Sequence, residues 1–299
     1  MKVANEFRLT LLGTGVPIPS PERFGPSTLI EAGGKRLLID AGRGATIRLS
    51  QLGVPLGSID ALLLTHYHSD HTSGIPDLWL TGWLRSHFGT RQKPFRIIGP
   101  IGAKELMSNL ERAYALDIKI RIEDEKLPPA GIATDVTEFA NDGVVYDGGG
   151  VRVTAFEVDH GDAIKPAYGY RVEYGGRVAV ISGDTRYNEN VIRHGNGADL
   201  LIHEVAIARP ELLKEAYIQP IIAHHTTAEE AGKIFSLTKP KLAAYTHLVF
   251  LASEDIAPAT VEELIAETRK TYAGPLQVGE DLMSFDIAAD VSVRRYGER

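Results

Sequence analysis

Short apolar segments recur along the chain and alternate with segments of helical periodicity. Runs rich in leucine and β-branched residues, which predict strands, fall into two clusters: residues 7–13, 27–33, 35–42, 60–66 and 95–100, then 151–160, 168–185, 198–204, 241–247 and 282–287. Between them, apolar residues spaced at i, i+3 and i+4 predict helices, and "TTAEE" at 226–230 is typical of a helix start with an acidic first turn. Two strand clusters, each accompanied by helices, predict an α/β protein with two sheets and helices outside them.

No long polar linker separates the two clusters. Residues 123–150, with "KLPPAG" and "YDGGG", are the least regular stretch, and we interpret them as a connector between halves of one domain spanning 1–299. Trp79 and Trp83, four residues apart, fit helix packing in the core better than an aromatic substrate pocket.

Composition narrows the chemistry. The chain has 299 residues and a net charge of −7, and no run of Lys or Arg is longer than a pair, so neither nucleic acid nor an anionic membrane is an expected partner. The absence of Cys excludes disulfides, thiolate metal sites and a cysteine nucleophile, so any metal must be held by nitrogen and oxygen. No apolar run approaches the ~20 residues of a membrane helix, and we expect a cytoplasmic protein unless a signal peptide has been removed.

Four residues of metal-ligand type are crowded into "LLLTHYHSDHTSG" at 62–74, directly after a predicted buried strand: His66, His68, Asp70 and His71. Spacing of two places His66 and His68 on one side of an extended backbone, whereas Asp70 and His71 turn toward the following helix. Without a cation, this many imidazole nitrogens and a carboxylate would compete for few partners. The segment therefore predicts a metal site, with room for two adjacent ions.

The motif Thr65-His66-x-His68-x-Asp70-His71 resembles the signature of the metallo-β-lactamase superfamily. The resemblance implies a four-layer αββα sandwich with a dinuclear metal site between the sheets. It also implies that His66, His68 and His160 hold one metal, that Asp70, His71 and His247 hold the other, and that Asp184 bridges them. Asp40 in "LLIDAGRG" matches a position that orients a metal-binding histidine. Zinc suits a His/Asp ligand set best, with manganese, iron or nickel as alternatives.

Three further stretches resemble ribonuclease Z and its small-molecule relatives: "LLGTGVPIPSPERFGPST", "SGDTRYNE…GADLLIHEVA" and "HHTTAEEAGKIFSLTKPKLAAYTH". By this resemblance Glu204 orients His225, which protonates the leaving oxygen, while Asp70 accepts a hydrogen bond from the attacking hydroxide shared by two cations. The chain departs from ribonuclease Z in three places. The interval from His160 to Asp184 is only 24 residues, too short for the arm that clamps transfer RNA. "PSPERFG" replaces a lysine-containing loop near the N-terminus, and "LVFLAS" replaces the usual residues after His247.

These departures favour metal-dependent hydrolysis of a small ester or phosphodiester, with a small molecule as partner and a homodimer as a possible assembly. Ribonuclease Z-type processing of RNA 3′ ends is the first alternative. A di-iron redox enzyme and a non-catalytic, metal-stabilised binding protein are alternatives from other classes. The inner ligand set serves phosphodiesters and carboxyl esters equally, so the sequence does not separate them.

Overall fold

Two sheets face each other across the centre of the molecule, which is known from a computed structural model that describes residues 7–297. The first sheet has the strand order β15-β14-β1-β2-β3-β4-β5-β6. Its strands are β1 Phe7–Gly13, β2 Ser27–Ala32, β3 Lys35–Ile39, β4 Ala61–Leu63, β5 Phe95–Pro100, β6 Thr134–Phe139, β14 Ser284–Ile287 and β15 Val291–Arg294. The run β3-β4-β5-β6 is parallel and the remaining pairs are antiparallel.

The second sheet has the order β13-β12-β11-β10-β9-β8-β7. Its strands are β7 Gly143–Gly148, β8 Val151–Glu157, β9 Tyr168–Tyr174, β10 Arg177–Ile181, β11 Leu200–Ile207, β12 Leu242–Phe250 and β13 Leu276–Val278. Strands β10 to β13 are parallel, whereas β7, β8, β9 and β10 form an antiparallel meander.

Helices cover the outer face of each sheet. In chain order they are α1 Ala45–Gln51, α2 Ser69–Thr72, α3 Ile75–Trp83, α4 Ala103–Ala113, α5 Ala115–Glu123, α6 Pro129–Ile132, α7 Glu189–Gly195, α8 Ile218–His224, α9 Ala228–Thr238 and α10 Val261–Arg269. Helix α9 begins where "TTAEE" predicts it, with a capping box between Thr227 and Glu230. None of the helices within residues 7–297 combines the length and the apolar character that a bilayer span requires.

Three apolar layers separate the four layers of secondary structure. The central one lies between the sheets and draws on both, for example Leu9 and Leu63 from the first and Val153 and Ile202 from the second. A second layer packs the first sheet against α1, α3 and α4, and a third packs the second sheet against α7, α9 and α10. Successive residues of a strand face opposite sides of the sheet, so one strand contributes side chains to two apolar layers. This is the predicted αββα sandwich, and the fold prediction is confirmed.

Both tryptophans lie in the layer between the first sheet and its helices. Trp79 is 0% and Trp83 1% exposed, and their indole N–H groups donate to the carbonyls of Ile132 and Pro128 at 2.8 and 2.9 Å. Each buried ring therefore has its polar atom satisfied, as the core interpretation requires.

The stretch 123–150 is more regular than the sequence predicted, because it contains α6, β6 and β7. β6 completes the first sheet and β7 opens the second at their edges. Edge strands are partly solvated, and both lack a continuous buried run, so their sequences carry no apolar signal. "DGGG" forms the turn between β7 and β8, in which Gly149 and Gly150 have φ of 66° and 77°.

Candidate metal centre

The structure brings the seven predicted metal ligands together between the two sheets. His66 and His68 follow β4, Asp70 and His71 belong to α2, His160 follows β8, Asp184 follows β10, and His247 lies in β12. Six of them are at most 3% exposed, and His68 is the most exposed of the seven. Side chains from both halves of the chain therefore meet in one largely dehydrated place.

Four donor atoms form the first cluster: His66 Nε2, His68 Nδ1, His160 Nε2 and Asp184 Oδ2. His68 Nδ1 lies 3.0 Å from His66 Nε2 and 3.3 Å from His160 Nε2. Asp184 Oδ2 lies 3.8 Å from His66 Nε2 and 3.6 Å from His160 Nε2. A tetrahedral site with zinc–ligand bonds of ~2.0–2.1 Å has donor separations of ~3.3–3.4 Å, so the cluster has the right size for such an ion.

The second cluster consists of Asp70, His71 and His247, again with Asp184. Asp184 Oδ2 lies 3.2 Å from both His71 Nε2 and His247 Nε2. Asp70 Oδ2 lies 3.7 Å from His71 Nε2 and 3.3 Å from His247 Nε2. The same oxygen of Asp184 thus faces both clusters.

One donor atom of the second cluster has no hydrogen-bond partner. His71 Nε2 is buried and makes no hydrogen bond, although Asp184 Oδ2 is near. Burying polar atoms without partners costs free energy, and a cation between the donor atoms would remove that cost. The residues present therefore fit divalent metal ions at both clusters.

Charges within the clusters are also those of a cation site. Burial, together with repulsion by the neighbouring imidazoles, lowers the pKa of His66. Burial likewise lowers the pKa of His68 and His160, although Asp184 opposes the shift. For Asp184, burial would raise the pKa, but His247 and His71 outweigh it and hold the pKa well below the usual value. Neutral imidazoles beside an ionised carboxylate are what metal coordination requires at the first cluster. In the second cluster, burial would lower the pKa of His71, but Asp184 and Asp40 outweigh it and raise the pKa well above the ordinary value.

Outward-facing nitrogens of three histidines are held by hydrogen bonds. His71 Nδ1 lies 2.7 Å from Asp40 Oδ2, and His160 Nδ1 lies 2.9 Å from the carbonyl of His224. His66 Nδ1 lies 3.0 Å from Thr65 Oγ1, which donates to Asp40 Oδ2 at 2.7 Å. These acceptors place the ring proton on Nδ1 and leave the Nε2 lone pair for the cluster.

Asp40 serves both clusters, because it supports His71 directly and His66 through Thr65. Its Oδ1 also accepts from the Thr65 amide at 2.8 Å. Its backbone is left-handed, with φ of 57°, which short polar residues such as Asp and Asn tolerate best. The supporting partner supplied by the carbonyl of His224 was missed from the sequence, since a main-chain acceptor leaves no residue signal.

His247 reaches the cluster through a bulge in β12. The pairing of β11 with β12 shifts by one residue between Glu204–Thr246 and Val205–Leu248, which leaves His247 unpaired. Its φ is 44°, a conformation that is uncommon outside glycine. Bulges redirect side chains beside functional sites, and this one accounts for a candidate ligand in the middle of a strand.

Glu204 and His225 form the predicted pair next to the second cluster. His225 Nδ1 lies 3.1 Å from Glu204 Oε2, and Glu204 Oε1 accepts from the Thr226 amide at 2.8 Å. A ring nitrogen of His225 also lies within 4.8 Å of the donor atoms of Asp184 and His247. Burial alone would lower the pKa of His225, but the Glu204 carboxylate outweighs it and raises the pKa to about 9. The pair can therefore hold a proton beside the metal ligands.

Comparisons with known proteins agree with this arrangement. A family model described as "Beta-lactamase superfamily domain" matches residues 35–248. A ribonuclease Z of Mycobacterium sp. strain KMS is 34% identical over 294 residues, which cover 97% of this chain and 99% of that protein. A ribonuclease Z of Mycolicibacterium paratuberculosis is 37% identical over 291 residues, covering 94% and 98%.

Two solved structures share the fold. The metallo-β-lactamase fold protein YhfI from Bacillus subtilis has a TM-score of 0.70 at 21% identity and covers 95% of this chain and 100% of its own. The short form of human tRNase Z has a TM-score of 0.68 at 23% identity and covers 94% and 98%.

The expectation that nucleic acid is not a partner is wrong, because relatives aligned over nearly the whole chain are ribonucleases. Net charge describes the whole surface and does not describe a local phosphate site. The missing arm does not distinguish this chain either. An alignment of 294 residues that spans 99% of the relative leaves no room there for a long arm.

The αββα sandwich, the clustered His and Asp donors and the two near-complete alignments lead to one conclusion. The chain is a hydrolase of the metallo-β-lactamase superfamily and belongs to its ribonuclease Z-like branch.

Proposed function

We propose that the protein is a ribonuclease Z-type endonuclease that cleaves a phosphodiester bond of RNA at a dinuclear zinc site. The observation that carries the proposal is the single carboxylate oxygen of Asp184 that faces two donor clusters, with the Glu204–His225 pair beside them. The relatives named ribonuclease Z, aligned along 97% of the chain, supply the substrate class.

His66, His68 and His160 would hold one ion, Asp70, His71 and His247 the other, and Asp184 both. Five nitrogen donors among seven residues favour zinc over magnesium or calcium, which prefer oxygen. When bound, such ions polarise a phosphoryl oxygen and lower the pKa of a nearby water.

His225 is the proton donor of the proposal. Burial would lower its pKa, but Glu204 raises it to about 9, which favours the protonated imidazole that can donate to the departing 3′ oxygen of the RNA. Glu204 holds His225 Nδ1 at 3.1 Å and therefore orients the ring toward the ligands. The carboxylate itself is fixed by the Thr226 amide, so the pair has little freedom to turn.

Asp70 is the proposed acceptor for the attacking water. Burial would raise its pKa, but the hydrogen bond from His247 and the charge of His71 outweigh burial and lower the pKa. An ionised Asp70 has acceptor capacity left beyond His247 Nε2, which lies 3.3 Å from Oδ2. It can therefore orient a water through a hydrogen bond.

Zinc-loaded protein incubated with a precursor transfer RNA that carries a 3′ extension tests the proposal. Site-specific cleavage is expected, and His66→Ala and His225→Ala should remove it or reduce it by ~10²-fold or more. His87→Ala is the control, because His87 is exposed and its ring contacts Phe88 rather than the clusters. Hydrolysis of an aryl phosphodiester or aryl ester with no RNA cleavage would refute the RNA assignment, and unchanged activity of His66→Ala would refute the metal mechanism.

We further propose that residues 1–299 act as one domain. The central apolar layer mixes side chains from both sheets, so neither half has a complete core without the other. A single cooperative unfolding transition, seen identically by far-UV and near-UV circular dichroism, is expected. Two separate transitions would contradict this proposal.

A further inference from the structure

Tyr170 crosses the central apolar layer from the second sheet to the first. It lies in β9, its side chain is 0% exposed, and its hydroxyl donates to the carbonyl of Leu64. Leu64 is the residue between β4 and Thr65, so the acceptor lies two residues before His66. Burying a phenol hydroxyl costs free energy unless the hydroxyl has a hydrogen-bond partner, which the Leu64 carbonyl supplies here.

Each residue from Leu63 to Thr65, just before His66, has a backbone group in a hydrogen bond to a neighbouring strand or loop. The carbonyl of Leu63 accepts from Asp40 at 2.8 Å, and the amide of Leu64 donates to Ile98 at 2.9 Å, both within the first sheet. Contacts to the second sheet come next: the Leu64 carbonyl accepts from Tyr170, and the Thr65 carbonyl accepts from the Tyr168 amide at 3.1 Å. The segment 63–65, directly before His66, is thus hydrogen-bonded to both sheets.

Tyr170 is itself fixed relative to the ligands of the second half. It pairs with Ile181 of β10, three residues before Asp184, and with Ala155 of β8, five residues before His160. The hydrogen bond from the Tyr170 hydroxyl therefore fixes the distance between β4, which precedes His66, and the strands β8 and β10, which precede His160 and Asp184. The first donor cluster depends on that gap, because its donor atoms must match separations of ~3.3–3.4 Å.

Protonation does not interrupt the contact. Burial raises the pKa of Tyr170 well above its ordinary value, and the nearby Asp40 raises it further. The hydroxyl consequently remains a donor over the whole working pH range.

We infer that Tyr170 is a positioning residue of the metal centre, which holds His66 in register with His160 and Asp184 through its hydrogen bond to the Leu64 carbonyl. This inference rests on the proposed metal site. It does not depend on which ester is the substrate.

Zinc affinity of the whole protein, measured by competition with a chromogenic chelator, tests the inference. Tyr170→Phe keeps the ring and removes the hydroxyl, and it is expected to raise the zinc dissociation constant ~10- to 100-fold, as loss of partners that support metal ligands does. Tyr272→Phe is the matched control. Tyr272 is 6% exposed, and its hydroxyl also donates to a main-chain carbonyl, that of Pro275 at 3.1 Å, but it packs in the helical layer outside the second sheet.

Thermal unfolding with the metal removed separates positioning from general stability. Both variants should melt within a few degrees of the parent protein, while only Tyr170→Phe loses zinc affinity. Zinc binding by Tyr170→Phe within twofold of the parent would overturn the inference. Failure of Tyr170→Phe to fold beside a folded Tyr272→Phe would overturn it as well, because the hydroxyl would then serve overall stability. Failure of the parent protein to bind zinc would instead refute the proposed function.

Discussion

Replacing Glu204 by Gln tests the proton-donor pair most directly. The substitution keeps the size of the side chain and removes the negative charge that lies 3.1 Å from His225 Nδ1. The carboxylate is what raises the pKa of His225 to about 9 against the opposing effect of burial. Without it, the pKa should fall to the ordinary histidine value of ~6.5 or below, a change worth about 3 kcal/mol in the free energy of protonation.

The expected loss of activity depends on pH. At pH 8 a histidine of pKa about 9 is ~90% protonated and one of pKa ~6.5 is ~3% protonated, so the rate should fall ~30-fold. At pH 6 both are largely protonated, and the loss should shrink to less than ~2-fold. Bound cations would lower the pKa in both proteins, so the displacement between the two profiles is the predicted quantity.

Single-turnover cleavage of RNA over a range of pH measures this displacement. The basic limb of the profile should move to lower pH in Glu204→Gln, because the protonated fraction is lost as pH rises through the pKa. Glu229→Gln is the control, since it removes one carboxylate charge at the start of α9 from a half-exposed side chain that pairs with Lys233. Superimposable pH profiles for the parent and Glu204→Gln, with no displacement of the basic limb, would refute the proton-donor role of His225.

Three other perturbations have defined outcomes. Asp40→Asn keeps the left-handed backbone but removes the carboxylate that supports His71 and Thr65, and should weaken zinc binding ~10- to 100-fold in chelator competition; unchanged affinity would contradict its supporting role. Removing the metal with a chelator should abolish hydrolysis, and returning zinc at about 1,000 times its dissociation constant should stabilise the fold by ~4 kcal/mol in denaturant titration. Trp79→Ala should cost ~3–5 kcal/mol of unfolding free energy with an unchanged KM, whereas a raised KM in a stable variant would place Trp79 in the substrate pocket.

The candidate metal ligands could be chosen from the sequence because few residue types coordinate metal ions. His66, His68, Asp70 and His71 form a local cluster, and His160, Asp184 and His247 follow predicted strands in an order that matches the superfamily. The alternating apolar runs likewise predicted two sheets with helices outside. The His/Asp motif and the apolar runs can both be recognised in a single sequence, because metal coordination and burial restrict the residue types at these positions.

Substrate class was the weaker part of the sequence interpretation. The short interval between His160 and Asp184 and the negative net charge both argued against RNA. Net charge is a property of the whole chain, and the short interval does not distinguish this chain from a ribonuclease Z that aligns over 99% of its length. Recognition of a phosphodiester depends on local groups around the metals, and neither property measures those.

Sequence by itself determined which residues could bind metal, the alternation that builds two sheets, and the helix start at Thr227. Only the tertiary structure decided that one oxygen of Asp184 faces both clusters, that a bulge turns His247 inward, and that Tyr170 joins the two sheets at Leu64, two residues before His66. The reason is physical: residue type and spacing fix what a segment can do locally, whereas distances between atoms from separate strands depend on how the sheets pack.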